Sequence, residues 1–243
     1  MILEVGQFKL GRLLSGDLQA RLLNYPMATL PERKITQNTS PIGIDRAILF
    51  DDKGYNNRKI DLIIGFEGKK SEANVAKFLS GLDTGKYVDF QMYSDDAYTY
   101  QVTRDGEATL ARPSFSASYR ELTLSLNVAP YKYVYPVQTV SVPSAGSITV
   151  TNPTNFDAKP IITITATGDT TLTVNGKALN ISNVQSAITL NSELQDAYVQ
   201  EGSTVTNANN QVSVGAYPVL KTGDNTIALS NGTATVETRW RTI

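Results

Sequence analysis

The chemistry open to this chain is narrow, because its 243 residues include no histidine and no cysteine. A Ser-His-Asp or Cys-His arrangement and a Cys/His zinc site are therefore excluded, and acid–base work would fall to carboxylates, Lys or Tyr. The nearest approach to a phosphate loop is "GFEGKKS", ending at Ser71. That motif needs Gly, four residues, then Gly-Lys-Ser/Thr; counting back from Gly68 lands on Ile63, and Lys70 stands where the hydroxyl belongs. The segment reads instead as a loop feeding a helix N-cap at Ser71. "DDKGYNNRKID", from Asp51, clusters acidic and amide oxygens without the acidic spacing of an EF-hand, and Asp52-Lys53-Gly54 reads as a turn between strands. Asp95 and Asp96 are adjacent, so on a strand they point to opposite faces and cannot form a glycosidase pair. Tyr131, Tyr133 and Tyr135 alternate as a base-stacking stripe would, but a net charge of -1 gives nucleic acid no electrostatic support. They read as one side of an extended connector.

The chain's only tryptophan, Trp240, lies between Arg239 and Arg241. Exposed, it would stack on a sugar; buried, it would close a core. Strict alternation places the ring inward and both arginines outward, so a core plug is expected, with Trp240 held as the candidate carbohydrate-binding residue. No catalytic, cofactor-binding or metal-ligating residue is assigned.

The elements that must carry these residues follow from composition and period. Hydrophobic residues make up 41% and charged residues 19%, and 22 basic side chains balance 23 acidic ones, so the chain suits a globular core better than a phosphate backbone. No apolar run approaches the roughly 20 residues of a membrane span. The opening segment is interrupted by Glu4, Lys9 and Arg12, which a signal peptide does not tolerate; with no cysteine, folding in a reducing cytoplasm is expected. In "YVDFQMY", Val88, Phe90 and Met92 share one face, and in "ELTLSLNV" Leu122, Leu124, Leu126 and Val128 do the same, the period of two of a half-buried strand. "SEANVAKFLSGL" departs from this habit: Val75, Phe78, Leu79 and Leu82 fall at helical spacing, with Gly81 near the end. Past "YKYVYPVQTVSVPSAG" the composition shifts to Thr, Asn, Val, Ile and Gly. There "TLTVNGKALNI" predicts a hairpin with a type I′ turn at Asn175-Gly176 that sets Leu172 opposite Leu179. The polar "EGSTVTNANNQ" is expected to be a long exposed loop. The fold class is mainly β with one short helix, divided into a sheet-rich part over 1–133, a connector over 134–146 and an all-β sandwich over 147–243.

The order of these segments resembles a known family. "VAKFLSGLDTGKYVDFQMYSDDAYTYQV", with its Asp-Asp-x-Tyr-x-Tyr stretch, then "SYRELTLSLNVAPYKYVYP", then a small sandwich closing in "GAYPVLKTGDNTIAL" and "RWR", is similar to the distal tail proteins of long-tailed siphophages. In "SPIGIDRAILF", Gly43, Asp45 and Arg46 approximate that family's Gly-Arg-Asp-Gly type of segment. The resemblance implies a non-enzymatic structural hub of the virion tail tip, without cofactor. Its N-terminal domains would form a hexameric ring, single or stacked, around the tail channel. The ring would join the tail tube protein to the tail-associated tip protein, and galectin-like C-terminal domains would project outward, where receptor-binding proteins attach in some relatives. A carbohydrate-binding virion module that recognises the host surface is the alternative.

Overall fold

The computed structural model describes residues 3–38, 42–43, 45–113, 118–213 and 215–243. Of the segment "SPIGIDRAILF", Ser40, Pro41 and Ile44 lie outside the described residues. Strands dominate, with one α-helix among the described residues, and that helix is far too short to cross a membrane. The chain divides into two compact units, Met1–Lys132 with Ile243, and Tyr133–Thr242.

The first unit is built on one antiparallel sheet. Its strands run in the order Leu13–Leu14, Phe8–Leu10, Val88–Met92, Tyr98–Ala111, Tyr119–Val134, Arg58–Glu67 and Ala20–Leu22. One long ladder pairs Arg58–Glu67 with Tyr119–Val134, setting Ile60 against Leu126, Leu62 against Leu124 and Ile64 against Leu122. All six are buried, which is what alternation at these positions requires. The helix, Ser71–Leu82, lays Val75, Phe78 and Leu82 on this core. Phe78 meets Phe8 edge-on at 5.7 Å between ring centres and Phe66 at 6.1 Å. Ser71 is not the cap. It is the first helical residue, buried, and its amide bonds to the Gly68 carbonyl at 3.0 Å, because Gly68 at φ +87 turns the chain into the helix one step earlier. Gly81 lies inside the helix, where a Cβ would come within 2.8 Å of Leu13; close approach, not capping, is its role.

A separate two-stranded ribbon, Arg33–Asn38 with Ile48–Tyr55, belongs to the same unit. Asp52-Lys53-Gly54 does not turn the chain here. It lies within the second strand, Lys53 takes φ 56, and the register slips between Arg33 and Ile35. The expected turn is a bulge, which needs the same positive φ.

The second unit holds two antiparallel sheets over one core. The larger runs Thr139–Val142, Thr233–Glu237, Ile161–Thr165, Ala187–Asn191, Asp196–Glu201, Thr204–Asn207; the smaller runs Ser147–Asn152, Gly223–Leu229, Gly168–Val174, Lys177–Val184. Leu172, Leu179, Ile227, Ile162, Ile164, Leu190 and Val236 from the two sheets fall in a single buried cluster. The Asn175-Gly176 hairpin forms with both turn residues at positive φ (51 and 77) and Leu172 opposite Leu179. Two stretches carry more structure than their sequence announces. Thr139–Val142, inside the Pro-punctuated segment, is an edge strand on Thr233–Glu237, with Pro136 and Pro143 kept outside it as ladder geometry demands. The polar stretch from Glu201 is a hairpin, not a loop: Asp196–Glu201 pairs with Thr204–Asn207 across Gly202. Its outer strand is exposed at all four residues, so no apolar alternation was needed to build it.

Candidate interaction surfaces

Trp240 follows the strand Thr233–Glu237 and precedes the pair Arg241–Thr242, in a break between strands. It is 3% exposed and belongs to the core of the second unit. The indole Nε1 donates to Gln138 Oε1 at 2.7 Å, and the Trp240 carbonyl accepts from Val134 N at 2.9 Å. At that burial the indole has no free face for a sugar ring. The flanking arginines do not both point outward. Arg239 adopts φ 49, which breaks the alternation, and its guanidinium lies 4.5 Å from the centre of the Tyr133 ring. Arg241 is only 7% exposed; its Nε donates to the Asp157 carbonyl at 2.6 Å and its Nη1 to Glu193 at 3.2 Å. Burial, with Glu193 beside it, raises the pKa of the Tyr133 phenol against the pull of the two arginines. Periodicity placed Trp240 inward correctly but missed Arg241, since a single left-handed residue cannot be read from alternation.

In the first unit the ribbon exposes Ile35, Leu49 and Phe50. Every residue of Arg33–Asn38 is exposed, and a lone two-stranded ribbon is at best marginally stable in water. Asp51, the first residue of the oxygen-rich stretch, is engaged by protein: Arg33 donates from Nε to Oδ1 at 3.0 Å and from Nη2 to Oδ2 at 2.6 Å. That fork holds the Asp51 carboxyl below its ordinary pKa. Asp95 and Asp96 lie at the end of a short 3-10 turn and not on a strand. Asp95, closing the short 3-10 turn Tyr93–Asp95, accepts from the Tyr100 hydroxyl and from Lys132 Nζ at 2.7 Å. Burial first, then the Asp95 bond, lifts the Tyr100 phenol far above its usual range. Among the described residues no three acidic, His or Cys side chains gather as a metal-ligand set.

Against known proteins, no family model and no curated protein matches the sequence. A solved structure does. The crystal structure of SPP1 Dit (gp 19.1) matches 96% of this chain and 98% of its own, with a TM-score of 0.66 at 12% identity. The fold is that of a distal tail protein. That Dit protein is described as a paradigm of the hub adsorption apparatus in phages that infect Gram-positive bacteria. The Dit likeness covers nearly the whole chain and accords with the mainly β class, one helix included. At this identity it speaks for the backbone and not for any single side chain.

Proposed function

We propose that this chain is the structural, non-enzymatic hub of the distal tail of a long-tailed phage. The observation that carries the proposal is the coverage of the Dit fold, 96% of this chain against 98% of the other; a match confined to one unit would leave a common β-sandwich with no implied role. Copies of the N-terminal domain, expected over 1–133, form a hexameric ring, one face on the tail tube protein and the other on the tail-associated tip protein. The C-terminal domain, a galectin-like sandwich expected from 147 onward, projects outward and meets receptor-binding proteins. Two features support assembly. The ribbon carries exposed apolar side chains that a neighbouring copy would cover, and closed cyclic symmetry would leave no sheet edge free. The exclusion of water from Trp240 turns the balance against the sugar-binding alternative.

Multi-angle light scattering on the purified full chain tests the reading. The expected particle has six times the monomer mass, or twelve times if rings stack. A monomer at about 50 µM, well above the Kd of any stable interface, refutes it.

A further inference from the structure

Three arginines are buried: Arg58, Arg120 and Arg241. Arg120 reaches Glu72 at 3.1 Å and Arg241 reaches Glu193 at 3.2 Å. Arg58 has no such partner among the described residues. It is 5% exposed, its Nε and Nη2 hydrogen-bond to no protein group, and its one bond runs from Nη1 to the Thr29 carbonyl at 3.4 Å. The unpaired atoms are not scattered. Nε–H and the adjacent Nη2–H lie parallel on one edge of the guanidinium, the edge that grips a carboxylate with two bonds. The same edge of Arg33 is closed on both oxygens of Asp51 in this chain.

The surroundings do not neutralise Arg58. Its guanidinium carbon lies 5.4 Å from the centre of the Tyr100 ring. The Asp95 carboxylate in the same cleft is already held by Tyr100 and Lys132, and it does not close on the Arg58 edge. Burial presses the Arg58 pKa downward, the mark of a charge that desolvation is not repaid for.

Above Arg58 runs an irregular strap, residues 24–31, that lines the cleft with Tyr25, Met27 and Leu30. These three are 64%, 74% and 78% exposed, a cluster of apolar side chains facing water. The strap is unevenly held. Asn24 clamps one end firmly, donating to the Asp61 carbonyl at 2.9 Å and accepting from Ile63 N at 3.0 Å. Towards the other end Thr29 is tied only by bonds of 3.4 Å, to Arg58, to Lys59 N and to the Lys59 carbonyl. Bonds that long are weak, so Thr29 itself is loosely held, between firmer ties at Pro26, whose carbonyl accepts from Ser94 Oγ at 2.9 Å, and at Glu32, whose carbonyl accepts from Asn56 N at 2.8 Å.

We propose that the cleft under this strap is a docking site for an acidic side chain of a partner protein, whose carboxylate closes on the Nε/Nη2 edge of Arg58 while apolar neighbours cover Tyr25, Met27 and Leu30. The unpaired edge selects the occupant: a planar carboxylate satisfies both parallel donors. The exposed apolar rim selects a protein segment over a free ion, because a small anion would leave that rim in water. The site stands independently of the hub reading.

The test uses the 15N-labelled full chain, following the arginine Nε–Hε resonances with the Arg58 signal assigned by its loss in Arg58→Met. Three probes are added: the tripeptide amides acetyl-Leu-Glu-Leu and acetyl-Leu-Gln-Leu, and sodium acetate at matched ionic strength. The Glu peptide should move the Arg58 resonance saturably, and both the Gln peptide and acetate should bind at least about tenfold more weakly, as loss of a charge-assisted bidentate contact implies. Equal binding of the Glu and Gln peptides, or no movement of Arg58, overturns the proposal; acetate binding as tightly as the Glu peptide makes this a small-anion site and overturns it too. Arg58→Met supplies a second readout. It should fold with a denaturation midpoint no lower than the parent, since an apolar replacement removes an unrepaid buried charge, and it should lose the peptide response. A midpoint clearly below the parent, or failure to fold, makes Arg58 a structural residue and refutes the docking role.

Discussion

Truncating Trp240 to alanine separates a core plug from every surface role. The indole is 97% removed from water by its 3% exposure, which at about 200 Å² for a tryptophan side chain and about 25 cal/mol per Å² is worth about 5 kcal/mol. Ordering the side chain costs about 1 kcal/mol of that, leaving about 4, inside the 3–5 kcal/mol measured for large aromatic truncations in cores. The lost Nε1 bond adds little, because Gln138 is itself exposed and its amide finds water once the indole is gone. The bond from Val134 N to the Trp240 carbonyl is main chain and survives. Urea unfolding followed by circular dichroism should therefore show the second unit losing about 4 kcal/mol with an unchanged slope, or at least about 12 °C in Tm for a unit of this size. In the parent, the only tryptophan should emit at short wavelength and resist acrylamide. A Trp240→Ala chain within about 1 kcal/mol of the parent, or a red-shifted, freely quenched parent spectrum, would refute the plug and restore the indole as a sugar platform.

Four further outcomes are expected. At Gly232 (φ +80) a Cβ would stand 2.3 Å from the Thr165 carbonyl oxygen and 2.6 Å from Ala166 Cβ, whereas at Gly176 (φ +77) it meets nothing within 4 Å; Gly176→Ala should cost about 1–2 kcal/mol of left-handed strain and Gly232→Ala clearly more, and equal denaturation midpoints would sink the argument. Arg241→Met should destabilise the second unit by about 1–3 kcal/mol, below the 3–5 typical of broken buried pairs, because Glu193 is about one-third exposed and keeps Lys159 at 3.5 Å. Folded phenols of Tyr100 and Tyr133 stay protonated where unfolded ones ionise, so the unfolded state binds fewer protons above about pH 10 and stability falls as pH rises from there; Tyr100→Phe should flatten that fall for the first unit, and an unaltered slope contradicts the reasoning. Limited proteolysis should cut at 135–137, ahead of the Thr139–Val142 strand, and leave a folded second unit; its unfolding on release would count against the two-domain organisation.

What the sequence made legible is what local period encodes. Leu122, Leu124, Leu126 and Val128 alternate because one face of their strand is buried, and Asn175-Gly176 announces a turn that needs two positive φ values. The helix was equally plain from Val75, Phe78 and Leu82. Features that depend on contacts far along the chain were not readable. Ser71 reads as a cap, but the turn is made by Gly68 against Gln19, far back along the chain. The outer strand from Thr204 to Asn207 has no buried face and so no pattern. Arg58 gave no signal at all: its neighbours Thr29, Asp95, Tyr100 and Lys132 come from four separate segments, and in the sequence it is one basic residue beside Lys59. Arg241 was hidden by Arg239, whose left-handed backbone reverses the faces that alternation assigns.

The hairpin that turns at Gly202 has a practical consequence. From Gln200 through Asn207 every residue faces water, and the tip reaches the rest of its sheet only through the ladder to Asp196–Glu201. A guest sequence spliced between Gly202 and Ser203 would leave the buried cluster of the second unit untouched, since loop tips of this kind accept insertions when no core side chain is displaced, and lengthening them costs little entropy. The absence of cysteine means that one thiol carried by such a guest would be the only reactive sulfur in the chain. The tip is thus a graft point at which cargo can be mounted and chemically addressed at a single position.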